Sequence, residues 1–512
     1  MTTIFSKNKD CVFRVFVALI LFLASNVKSF SLELTTTKSI HVASKTSSSS
    51  TSFSCSSSSP ASVGLYVHIP FCRRRCRYCD FAIVPIGNHH QSNAGDSSQQ
   101  QQQQLLFHSY TQAVEREIRS YTSPATVDDR VTLDTIYFGG GTPSLAPLSM
   151  IQTIVHAIRE EFTLSSNLEF TMEMDPGTFD RTKLEGLRQL GVNRISLGVQ
   201  SFDDSVLEYL GRFHRRKDID SSIELLYDVF GPHCNYSIDL IASLPGVSLA
   251  DWCTTLATAA RMEPAHISVY DLTIEAGTVF GKWYNTLDES YNDPKSPKMS
   301  SSSSSSATIP ARPLPSPEES AFQYQYASGY LRAAGYDHYE ISSYALPSRR
   351  SQHNSLYWGY DTTWYAAGLG ATSFVPKDGG LLARPRALAD YIDWVTRGGP
   401  KSIEEETQQQ QQDDDDNDDD TIESRLQDLV LKRLRTVEGL DLNFVAQHYG
   451  QVYVDAILRG ACLEDLSALV IHEPPILRLI DSKGFMFSNS IISSIFVTLE
   501  EVSEKMRKNV TS

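Results

Sequence analysis

The sequence predicts an α/β fold, a partial barrel of six β/α units that leads into a small, mostly helical C-terminal domain. Three observations predict it. Short runs of β-branched, aliphatic and aromatic residues alternate with longer stretches of helical periodicity, the pattern of a parallel sheet joined by right-handed crossovers. The residues with unusual chemistry fall in those runs or just after them, and in β/α barrels the loops at the carboxyl ends of strands carry the chemistry. Beyond residue 422 the apolar period is that of helices.

Taken in order, the first strand is LYVHI (Leu65–Ile69), and a cysteine-rich loop follows it. SYTQAVEREIRSY (Ser109–Tyr121) reads as the first helix and DTIYF (Asp134–Phe138) as the second strand, ending on GGGTPS (Gly139–Ser144). SMIQTIVHAIREEF (Ser149–Phe162) is the next helix, and LEFTM (Leu168–Met172) the third strand, with Glu173 just beyond it. RISL (Arg194–Leu197) leads to Gln200, YSIDLI (Tyr236–Ile241) contains Asp239, and HISVY (His266–Tyr270) is the sixth strand. A doubly wound open sheet is the other arrangement these units allow. The expected boundaries are a core over residues 62–285, a further region over 321–400, and a helical domain over 422–512 that includes RLQDLVLKRLRTVEGLDLNFVAQHYG (Arg425–Gly450).

The segments between and before these regions are compositionally distinct. Lys7, Lys9 and Arg14 precede the apolar run Val15–Ala24, which is short for a bilayer span and suits a signal-peptide core, and a Ser/Thr-rich stretch follows. Residues 1–60 therefore read as a two-part presequence for a plastid, with a mitochondrion as the alternative, and no stable transmembrane segment is expected in the mature chain. Secretion would oxidise the clustered thiols. The runs at Gly87–Gln104, residues 286–320 and residues 401–421 are too rich in Gln, Ser, Pro or Asp to bury a core and read as disordered inserts. The net charge of −16, concentrated in part in Glu404–Asp420, excludes a general nucleic-acid binder.

Three of the eight cysteines carry the most specific signal. Cys72, Cys76 and Cys79 stand in YVHIPFCRRRCRYCDF (Tyr66–Phe81), spaced C-x3-C-x2-C with no fourth cysteine nearby. Thiolates bind soft metals, so the choices are zinc, an iron–sulfur cluster or redox chemistry. Structural zinc wants four closed ligands, whereas a cubane on three cysteines leaves one iron open. Cys234, Cys253 and Cys462 read as buried small hydrophobes. The glycines of GGGTPS lack Cβ atoms, so their backbone can approach a ligand closely.

With these motifs in hand, Tyr66 to about Pro245 resembles the core of the radical S-adenosylmethionine (SAM) family. The cysteine motif, GGGTPS, EMDPGT (Glu173–Thr178), ISLGVQSF (Ile195–Phe202) and LGRFH (Leu210–His214) are similar to the oxygen-independent coproporphyrinogen oxidase-like branch. The resemblance implies a [4Fe–4S] cluster on Cys72, Cys76 and Cys79, with the amino and carboxylate groups of SAM on the open iron. It also implies SAM contacts from Tyr66, Gly140, Gly141, Thr142, Glu173, Gln200, Arg212 and Asp239. Their types fit: Arg212 can pair with a carboxylate, while Glu173, Gln200 and Asp239 can bond an amine and a ribose. Asp175 reads as turn chemistry.

Two departures separate activities within that branch. The oxidase pattern carries another cysteine two positions after the third, where this chain has Phe81. HNSLYW (His353–Trp358) resembles the H-N-x-x-Y-W motif of HemW-type haem chaperones. That resemblance implies His353 as a haem ligand, haem as a further cofactor, and apo-haemoproteins as acceptors. The alternative is a radical SAM oxidoreductase acting on coproporphyrinogen III or another substrate.

Overall fold

The computed structural model describes residues 62–87, 97–121, 130–284, 312–360, 362–375, 380–400, 422–463 and 466–510. The presequence and the acidic insert lie outside the described residues, as does most of the serine-rich insert.

The six expected strands are all present and longer than the sequence implied: β1 (Val63–Ile69), β2 (Thr132–Gly140), β3 (Thr163–Met174), β4 (Arg194–Gln200), β5 (Tyr236–Ala242) and β6 (His266–Asp271). They pair in parallel in chain order. Alternation decides what each contributes. In β1, Leu65, Val67 and Ile69 are fully buried in the main core, while Tyr66 and His68 on the other face border a cavity. The helix Leu148–Glu161 buries Met150, Ile151, Ile154, Val155 and Ile158, the spacing of one helical face. Ser248 with Asp251 forms a capping box at the start of Leu249–Arg261, which satisfies backbone donors at that end.

Four strands absent from the sequence reading also join the sheet: β7 (Asp337–Glu340), β8 (Ser343–Ala345), β10 (Thr372–Val375) and β11 (Gly380–Ala383). So does β9 (Thr363–Ala367), which pairs in parallel with β1 and extends the parallel run to seven strands. The final order is β11-β10-β9-β1-β2-β3-β4-β5-β6-β8-β7, an open, mostly parallel sheet with antiparallel strands on both flanks. These flanking strands are three to five residues long, too short for a period to show in sequence.

The C-terminal helices Ile422–Arg433, Leu442–His448, Gln451–Ala461 and Ser488–Val510 enclose a separate core that includes Val430, Val445, Ile457, Ile491 and Ile495. A three-stranded antiparallel sheet, Leu440–Asp441, Val470–Glu473 and Ile476–Leu479, completes it. Two other readings change. The glutamine tract Gln99–Gln104 is not a loop but the first turns of the helix Ser97–Ser120, consistent with the good helix propensity of Gln. Of the three scattered cysteines among the described residues, Cys234 is buried, Cys253 half-buried and Cys462 exposed. Among the described residues no helix is long and apolar enough to cross a membrane.

Candidate cofactor site

A cavity of about 690 Å³ opens at the carboxyl ends of the parallel strands. Cys72, Cys76, Cys79, Gly140, Gly141, Thr142, Glu173, Gln200, Arg212 and Asp239 all line it, so residues from six separate segments converge on one space. Tyr66 and His353 do not line it.

The cysteine loop is held by its own arginines. Arg74 donates to the carbonyls of Gly211 (2.8 Å) and Arg212 (3.1 Å), and Arg77 to that of Glu208 (2.9 Å). Backbone bonds Arg77 N to Leu210 O (3.0 Å) and Ile86 N to Cys72 O (2.8 Å) close the loop at both ends. Cys72 Sγ lies 3.5 Å from Thr142 Oγ1, and Cys76 Sγ lies 3.8 Å from Arg212 Nη1. Burial pushes the Cys72 thiol up to about 12 and raises Cys79 as well. Thiols in such surroundings ionise when a metal takes the thiolate. Among the described residues no three His, Cys, Asp or Glu side chains gather tightly enough for a single ion. Three thiols on one cavity wall are the donor set that would hold a cluster.

The glycine turn is shaped by what lies above it. Gly140 has φ +114°, and a Cβ there would come within 2.4 Å of the His68 imidazole. A Cβ on Gly141 would lie 2.6 Å from Pro70 O. Only glycine lets the turn pass under β1 and leave its backbone facing the cavity. Glu173 then accepts from Gly140 N (2.9 Å) and from the Tyr137 hydroxyl (2.9 Å). Its burial, opposed by those two bonds, raises its carboxyl to about 7. Asp239 is raised too, by burial, although Ser196 (2.8 Å) and Ser237 (3.1 Å) donate to it. Gln200 sits at φ +65°, a sparsely populated conformation for a side chain other than glycine, at the point where β4 turns toward the cavity. Arg212 pairs with Asp175 at 2.5 Å and bonds Gly198 O at 2.9 Å. Despite the cost of burial, Asp175, Tyr78 and Cys76 keep that guanidinium charged. Asp175 also accepts the Thr178 hydroxyl at its carbonyl (2.6 Å), so it serves both the turn and the site.

Tyr66 borders a second cavity of about 420 Å³, which shares Phe81, Gly140, Glu173 and Arg386 with the first. Tyr357, from the HNSLYW segment, and Trp364 line it as well. His353 lies behind this wall, fully buried. Its Nδ1 is 2.7 Å from Thr135 Oγ1, its Nε2 is 3.0 Å from the Tyr357 hydroxyl, and its ring stacks on Tyr137 at 5.0 Å. Burial, with Arg194 adding to it, lowers the imidazole to about 3, so it is neutral. The sequence offers His68 only as a possible fourth ligand beside the cysteines, and it gives no sign of Arg386. His68 shares the face of Tyr66 by strand alternation, a signal that was available; Arg386 belongs to a loop whose position only the fold sets.

Comparison with known proteins now decides the family. Residues 66–259 match the radical SAM superfamily. Heme chaperone HemW of Synechocystis is 38% identical over 449 residues, covering 85% of this chain and 97% of that protein. The chain belongs to the HemW family of radical SAM proteins. A bovine relative, the mitochondrial radical S-adenosyl methionine domain-containing protein 1, is 29% identical over 62% of each chain. In fold the chain is similar to the E. coli coproporphyrinogen III oxidase HemN, with a TM-score of 0.61 at 20% identity over 86% of this chain and 90% of that one. Membership of the HemW family implies a [4Fe–4S] cluster and SAM, and the three thiols and the glycine cradle fit both.

Proposed function

We propose that this protein is a haem chaperone that binds haem and hands it to apo-haemoproteins, with a [4Fe–4S] cluster and SAM alongside. The likeness to the Synechocystis chaperone along 97% of that protein carries the reading. In it, Cys72, Cys76 and Cys79 hold the cluster, whose open iron takes the amino and carboxylate groups of SAM. Gly140, Gly141, Thr142, Glu173, Gln200, Arg212 and Asp239 surround that SAM, and Tyr66 approaches it from the neighbouring cavity that shares Gly140 and Glu173. Gly140 and Gly141 supply backbone with no side chain in the way, and Glu173 and Asp239 supply buried acceptors. Arg212 meets a carboxylate by sharing or exchanging Asp175. His353 ligates haem once Tyr357 releases its Nε2, since the hydroxyl 3.0 Å away occupies that nitrogen.

The test is an anaerobic hemin titration of cluster-reconstituted protein, wild type beside His353→Ala, followed by absorbance. Saturable binding that the substitution weakens supports the reading, and transfer to an apo-haemoprotein is the next step. Linear, non-saturating curves for both proteins refute it. The intact SAM cavity favours a second reading, a radical SAM oxidoreductase acting on coproporphyrinogen III; Phe81, where that oxidase pattern has cysteine, weighs against it. For location, the two-part character of residues 1–60 supports a plastid, and the mitochondrial relative supports a mitochondrion. A fluorescent fusion of residues 1–60 distinguishes the two.

A further inference from the structure

The second cavity carries fewer charged side chains than its neighbour, Glu173 and Arg386 against four arginines and several carboxylates. Tyr66, Tyr357 and Trp364 give it aromatic walls, and among its lining residues Arg386 is the one guanidinium. Two of its lining glycines are close-packed against other lining residues: a Cβ on Gly370 would meet the Ala82 methyl at 2.9 Å, and one on Gly140 would strike the His68 ring. Two large side chains stand exposed at its mouth. Phe81 is 66% exposed, and the Arg386 side chain is 64% exposed. Phe81 lines both cavities from this exposed position, so its ring is offered to whatever enters them. Arg386 bonds Asp80, with 3.2 Å to its carboxylate and 2.6 Å to its carbonyl oxygen. An exposed pair of this kind is weak and yields readily to a competing carboxylate.

We propose that this second cavity, lipped by Phe81 and Arg386, is where the tetrapyrrole docks: the macrocycle edge enters between Tyr66, Tyr357 and Trp364, Phe81 covers its face, and Arg386 takes a propionate. This rests on the haem-chaperone reading and adds a place and four residues to it. A flat, apolar dianion is what an aromatic slot with a single cation at its lip complements. The placement also gives Phe81 a task where the oxidase pattern has a cysteine: a contact surface for the macrocycle. It sets His353 one hydroxyl behind the cavity wall, through Tyr357.

The experiment titrates the full, cluster-reconstituted chain with hemin and, separately, with metal-free protoporphyrin IX, following absorbance and intrinsic fluorescence. Three variants change exposed rim positions: Phe81→Ser, Arg386→Gln and Thr372→Trp, the last placing an indole across the mouth. Circular dichroism and thermal melting verify that each is folded. Each is expected to weaken both ligands about tenfold, the scale of one charge-assisted bond or one aromatic contact. His353→Ala is expected to weaken hemin alone, because protoporphyrin IX has no iron to ligate. Wild-type affinity for both ligands in all three variants overturns the proposed cavity while leaving the haem reading intact. Failure of wild type itself to bind hemin overturns both.

Discussion

Arg384 and Glu117 form an ion pair in which both side chains are fully buried, and breaking it should loosen the flank of the sheet that walls the second cavity. The Arg384 Nε lies 2.8 Å from Glu117 Oε1, while Glu117 Oε2 accepts from Gly368 N (2.9 Å) and the Tyr391 hydroxyl (2.7 Å). Glu117 belongs to the helix Ser97–Ser120, Gly368 follows β9, and Arg384 follows β11, so one carboxylate ties three segments together. Replacing Arg384 with Met keeps most of the volume but leaves the carboxylate with three neutral donors, Gly368 N and the Tyr391 and Tyr121 hydroxyls. Removing one partner of a buried pair costs about 3–5 kcal/mol, a large share of the roughly 5–15 kcal/mol that separates folded from unfolded domains. With a urea slope of about 2 kcal/mol per molar, the midpoint should fall by about 2 M. The assay is urea unfolding of wild type, Arg384→Met, Glu117→Gln and the double variant, followed by circular dichroism. The double variant, which leaves no charge uncompensated, should recover much of the loss. A single Arg384→Met that costs under about 1 kcal/mol would refute the reasoning, because it would mean that the remaining donors suffice.

Three further outcomes are expected. Gly140→Ala should lower SAM affinity by at least about tenfold in equilibrium dialysis with the fold retained, since its Cβ would collide with His68 at 2.4 Å. Glu173 has its folded-state carboxyl raised to about 7 from an ordinary 4.5, so the folded chain holds that proton longer than the unfolded chain does. Its contribution is therefore fully present below about pH 4.5 and is lost as pH rises through about 7, by up to about 3 kcal/mol. Melting temperatures of the cofactor-free protein between pH 5 and 8 should fall more steeply than those of Glu173→Gln; equal slopes would count against it. Tyr357→Phe frees His353 Nε2 of its hydrogen bond and should tighten hemin binding about two- to tenfold, whereas weaker binding would show that the hydroxyl itself contacts the ligand.

Much of this was legible in the chain alone. Local patterns announce themselves where a run is long enough to show a period: the six parallel strands and the helix Leu148–Glu161 each bury a repeating set of apolar side chains. The residues proposed to hold the metal and the cofactor stood out for a different reason. Three thiols in eight residues and three consecutive glycines after a strand are chemically costly choices that an ordinary core does not need. What the sequence could not supply is anything set by contacts between distant segments. β9 is five residues long, and only its pairing with β1 makes it a strand of this sheet. His353 reads in sequence as an available imidazole, yet the fold buries it between Thr135 and Tyr357 and lowers it to about 3. Phe81 reads as the loss of a cysteine, and only the folded chain sets it beside Arg386, 305 positions away in sequence, on a shared rim. The sequence by itself determined which residues could do chemistry and on which strands they would ride, because period and residue type are local. Tertiary structure alone decided which of them face a cavity and which are sealed behind its wall, because burial and hydrogen-bond partners come from segments that the chain brings together only on folding.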